Sequence, residues 1–166
     1  ADAVSAAVPP TPSVVAPCLM GGIMFTLAAI DLGVDLSADA SLISAWYGAQ
    51  KTLPIVSQWM KGLPLLLVFL LCKVLFKSVP GARAGQPGAL AGCAPLVLLP
   101  LLAFLSLSAM ARLESCGFQP DVEVLSTVTR FHIARMPLSV LMIASAIIEY
   151  SASLGTAVKS MKEKAS

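Results

Sequence analysis

Few residues of this chain have types and spacings suited to chemistry, and they lie far apart. His132 is the only histidine. A bis-histidine haem needs two, and His132 and Met136 share one helical face, so they cannot grip opposite faces of one haem. A lone histidine could still ligate a chlorophyll magnesium, or a haem shared with another chain. Arg130 and Arg135 flank it, which favours the plainer expectation of a polar residue at headgroup depth, with the two arginines available to a lipid phosphate. The Glu-x-x-His/Asn-x-Arg pattern of light-harvesting helices is absent, because the spacing from His132 to Arg135 is one residue too long.

Cys18, Cys72, Cys93 and Cys116 form no C-x-x-C pair. Three of them sit in apolar runs, where cysteine behaves as a small hydrophobe. Cys116 lies in a polar connection and is the candidate for reactivity. The sequence contains no serine elbow, P-loop, dinucleotide glycine pattern or zinc spacing. Asp121 and Glu123 fall in a solvated turn, so they make no catalytic carboxylate pair. The expectation is a chain that is not an enzyme, holds no metal and has no intrinsic cofactor. Bound lipids are expected; a pigment has no support.

The surroundings of these residues are decided by composition. Of 166 residues, 57% are hydrophobic and 12% charged, with a mean hydropathy of +0.86. Soluble domains average about 25% charged residues. A water-soluble fold of this length cannot hide so much apolar surface, whereas a bilayer acts as the apolar solvent. Net charge is only +2 and aromatics are 6%, so neither a phosphate-tracking basic run nor a base-stacking platform is present. Nucleic acid is excluded as a partner.

About 20 apolar residues span the hydrocarbon core as a helix, and helices alone satisfy their own backbone in lipid segment by segment. The expected fold is therefore all-α and polytopic. Four crossings are predicted, at 12–30, 54–76, 85–110 and 136–158, within one transmembrane domain covering 12–158. A loose Ala/Pro/Val-rich leader, 1–11, precedes it, and a basic polar tail, 159–166, follows. Pro87, Pro95 and Pro100 predict a kink in the third crossing. The connections 31–53 and 111–135 each predict a short interfacial helix. The first starts after Asp39 as N-cap, with Leu42, Ile43 and Trp46 on one face and Trp46 and Tyr47 at headgroup level. The second opens at Pro120, with Asp121 and Glu123 near its positive end. The start at Ala1 fits either trimming of a methionine or cleavage of a targeting peptide.

Four crossings put both termini on one side, together with Lys73, Lys77, Arg83, Lys159, Lys162 and Lys164. The slight lysine-plus-arginine excess there predicts that side to face matrix, stroma or cytosol. Gly88 and Gly92 form a G-x-x-x-G, and Ala144, Ser151 and Gly155 draw a second small-residue stripe, so both are candidates for close helix packing. Glu149 interrupts the fourth crossing, where an ionisable group needs a partner or a task. Lys73 is its partner by depth, which gives a predicted Lys73–Glu149 pair between the second and fourth helices. Short connections and packing stripes without a chemical motif point to a structural or accessory subunit of a larger membrane complex. Its partners would be lipids and other transmembrane subunits. The base-rate setting is an energy-transducing organelle membrane, mitochondrial before thylakoid, housing a respiratory chain, ATP synthase or photosystem. The alternative is a small transporter or channel component with Glu149 and Lys73 on a polar path.

Overall fold

A computed structural model describes residues 12–52, 65, 68–69, 71–86 and 88–165. The regular structure among the described residues is all helical, with no strand. Helix α1 covers Pro12–Leu36 and α2 covers Ala40–Thr52. A π-helical turn, Val74–Ser78, runs into α3, Val79–Arg83. A 3-10 turn, Ala91–Cys93, opens α4, Ala94–Ser115. The last helix, α5, is a single rod of 44 residues, Val122–Ala165.

Among the described residues three helical stretches are long and apolar enough to cross a membrane: Val14–Leu36, Ala91–Ser115 and Val122–Lys164. That is one fewer than the four expected. The expected crossing at 54–76 falls largely outside the described residues.

The other three crossings shift for identifiable reasons. Helix α1 continues past Asp31 to Leu36 because Asp31 and Asp35 meet partners on α5. The third crossing does not begin at Gly85. Gly85 and Gly88 take left-handed φ values of 69° and 77°, which terminate a helix and which glycine adopts without a Cβ clash. Pro95 then lies in the first turn of α4, where its missing N–H costs nothing, and only Pro100 is interior. The interfacial helix expected within 111–135 is not separate from the fourth crossing. Asp121 caps α5 by accepting from the Val124 N–H at 2.8 Å. From there the helix runs through Pro137 and on through the segment expected as a polar tail.

Helices α1 and α4 both run antiparallel to α5. Gly21 on α1 lies against Ser139 and Ile143, while Asp35 lies against His132. On α4, Leu99 and Leu102 share a buried cluster with Met20 and Met142. Further along, Ala109 and Leu113 share another with Val34, Ile43, Tyr47 and Val128. A Cβ at Gly21 would come 2.6 Å from Ile143 Cγ1 and 2.9 Å from the Ser139 carbonyl, so glycine lets α1 and α5 nearly touch.

Candidate functional site

The buried ionisable groups gather in two places on α5. The first is built from α1, α2 and the N-terminal half of α5. Asp31 and Asp35 are four residues apart on α1, and His132 and Arg135 three apart on α5, so each pair occupies one helical face. Helix α2 closes the site because Asp39 caps it. The Asp39 carboxylate accepts from the Ser41 N–H at 2.9 Å, the Leu42 N–H at 3.2 Å and the Ser41 hydroxyl at 2.7 Å. These bonds favour its ionised form and hold its pKa below the usual carboxylate range.

Asp35 accepts from the Tyr47 hydroxyl at 2.7 Å and the Thr129 hydroxyl at 3.2 Å, and His132 Nδ1 lies 2.9 Å from its Oδ2. Asp31 accepts from Trp46 Nε1 at 3.0 Å, Gln50 Nε2 at 2.7 Å and an Arg135 guanidinium N–H at 3.1 Å. His132 Nε2 stands 3.8 Å from the same Asp31 Oδ2, and the imidazole stacks on the Tyr47 ring. Tyr47 is 1% exposed. Burial, then its bond to Asp35, then the two carboxylate charges push its pKa well above the ordinary tyrosine value, so it acts as a neutral donor.

This network departs from the sequence reading. His132 is 1% exposed and Arg135 4%, so neither lies at a headgroup surface, and the Arg135 guanidinium is engaged by Asp31. Arg130 is exposed. Tyr47 and Trp46 turn inward because the two aspartates attract their polar atoms.

The second cluster lies at the other end. Lys73 Nζ approaches Glu149 Oε2 at 2.6 Å, and both side chains are buried. Lys77 reaches the other carboxylate oxygen at 4.0 Å from an exposed position. Lys73 and Ser78 bracket the π turn. Gly92 admits the Glu149 side chain, since a Cβ there would sit 2.8 Å from Ser78 Oγ and 2.9 Å from Glu149 Cδ. A Cβ at Gly88 would sit 2.6 Å from that of Ala152. Both glycines thus pack on α5, but from a turn, without forming a continuous G-x-x-x-G helix face. On the second stripe, Ser151 is exposed, and among the described residues nothing lies within 4 Å of a Cβ at Gly155. Ala144 is half-buried.

Seventeen residues separate His132 from Glu149, or about 25 Å of helix, close to the hydrocarbon thickness of about 30 Å. Between them lie Met142, Met20, Leu99 and Leu102 in an apolar layer. Ser139 and Ser145 fall in this stretch, and each donates to its own helix's backbone, to the Arg135 and Met142 carbonyls at 2.8 Å. Among the described residues no group of three or more His, Cys, Asp or Glu side chains is arranged to hold a metal ion. All four cysteines are free, and the Cys116 thiol donates to the Leu113 carbonyl.

The signal for the missed network is present in the sequence. Two acids at i, i+4 and a histidine–arginine couple at i, i+3 make complementary faces on two apolar helices. Reading Asp31 as the end of the first crossing conceals it.

These features suggest an all-helical, multi-pass integral membrane protein fastened at both ends by buried polar contacts. No family model matches the sequence, and no curated protein or solved structure matches it significantly.

Proposed function

We propose that this chain is a non-catalytic structural subunit of a larger membrane complex, crossing the bilayer four times with both termini on one side. One observation carries the reading. The buried acids and bases among the described residues engage one another, leaving an apolar layer between the two clusters. Groups used in this way fix helices against one another. A transport path would need polar groups continuing through the layer of Met20, Leu99, Leu102 and Met142, so the arrangement does not favour the transporter alternative. Outward faces supply the surface for lipids and neighbouring subunits, with Leu19, Val97 and Phe104 each more than half exposed.

The fourth crossing draws support from two lysines. Lys51 pairs with Glu114 at the Asp31 end, and Lys73 pairs with Glu149 at the opposite end. Lys51 and Lys73 therefore stand at opposite ends of the bundle. Exposed Lys77, Arg83, Lys159, Lys162 and Lys164 gather at the end of the termini, which supports placing it on the matrix, stroma or cytosol side.

The test is to solubilise native membranes in mild detergent, the mitochondrial inner membrane first and the thylakoid second, and to follow the chain by native electrophoresis. Comigration with a large multi-subunit particle is the expected result. A free monomer or small homo-oligomer that conducts ions on reconstitution would overturn the proposal.

A further inference from the structure

Beyond Ala152, which packs on Gly88, the C-terminal part of α5 is half-buried or exposed. Glu149 is its last buried residue, yet the helix continues for sixteen more, to Ala165. That is about 24 Å of helix at the standard rise. With Glu149 inside the hydrocarbon edge, a headgroup layer of about 5–8 Å leaves the last turns standing in water. A projecting helix end without tertiary contacts frays readily.

Its sequence is patterned for such a contact. Leu154, Val158 and Met161 recur at intervals of four and three, the d, a, d spacing of a coiled-coil seam, with the branched residue at a and leucine at d. Lys162 and Lys164 then occupy e and g, on either side of the stripe, and Glu163 falls opposite it. Met161 is 55% exposed and Leu154 and Val158 are half-buried, while Lys159, Lys162 and Lys164 are exposed.

We propose that residues 154–165 form a short docking stripe for an acidic amphipathic helix of a neighbouring subunit; this rests on the complex-subunit reading above. Lysines at both flanking positions select a partner with glutamate or aspartate along its own seam. A second copy of this chain would bring further lysines to the same seam, where like charges repel. A membrane surface is also disfavoured, because the segment continues the bundle axis away from the bilayer and does not lie along it.

The test uses the full chain in its native membrane, with Lys162→Glu and Lys164→Glu together, compared with wild type and with the Lys→Arg pair. The expected outcome is that the glutamate variant resists alkaline carbonate but loses comigration with the large particle, while the arginine variant keeps both. A photocrosslinking residue at Met161 in the otherwise native sequence should attach to a protein helix with acids flanking an apolar stripe. Attachment only to lipid or to a second copy, or unchanged comigration of the glutamate variant, overturns the docking stripe. If wild type itself enters no large particle, the subunit reading fails first, and the two failures remain distinguishable.

Discussion

The two buried clusters solve one problem in different ways. At the Asp31 end, two carboxylates on α1 take six partners from two further helices, three for each carboxylate. At the Glu149 end, the carboxylate is held by Lys73 and approached by Lys77, both on long flexible stems. Removing one partner from a buried pair costs more than the pair contributes, because the remaining charge loses its compensation in an apolar medium. A lysine can swing toward a nearby interface and lessen that cost. At the Asp31 end the His132 imidazole sits on a short stem without such an escape, and Arg135 is 4% exposed and engaged by Asp31. The network should therefore tolerate less change than the pair, although the pair is the simpler contact.

The sharpest break is Asp31→Ala. It strands Arg135 and leaves Trp46 and Gln50 without their acceptor, so a loss of about 3–5 kcal/mol is expected, read as thermal unfolding in detergent. A change below about 1 kcal/mol would place this network with exposed ion pairs and dissolve the contrast. Glu149→Leu comes second, at about 3 kcal/mol. Adding Lys73→Met should recover most of that loss, since apolar replacement of a whole buried pair is often neutral. If the double variant is no more stable than the single, the pair is not the coupled unit described.

Next come the glycines around α5. Gly92→Ala drives a Cβ into Ser78 and Glu149 and should cost about 1–3 kcal/mol by overpacking. Gly155→Ala meets open space and should stabilise the helix by about 0.5–1 kcal/mol. Equal effects would mean that Gly92 admits no close approach. The smallest effect is acid sensitivity of α2. Asp39 has a depressed pKa in the folded chain, so its capping contribution is present above the unfolded aspartate value of about 3.9. It is lost as pH falls through the lower folded value. Trp46 fluorescence in a Trp59→Phe background should shift below about pH 4, and Asp39→Asn should remove the shift.

The contrast extends to legibility. Lys73 and Glu149 can be paired from sequence because each interrupts an apolar run near the same end. The network resists that reading because its acids lie where a hydropathy profile places the end of a helix. Depth alone assigns His132 and Arg135 to the headgroups, whereas two aspartates from another helix draw them inward. Tyr47 and Trp46 reverse their expected direction for the same reason. The G-x-x-x-G packs closely on α5 by another route: left-handed φ at Gly88 puts the two glycines in a turn, not on one continuous helix face.

The sequence by itself determined that the chain is helical and too apolar to fold around its own core, because period and composition are local quantities that lipid reads directly. It also determined the cap at Asp39, which needs only a few neighbouring residues. Only the tertiary structure decided which charges face one another, that the last two expected helices are one rod, and which glycines are crowded. Those depend on distances between residues up to 104 positions apart, and periodicity within one helix carries no information about its register against another.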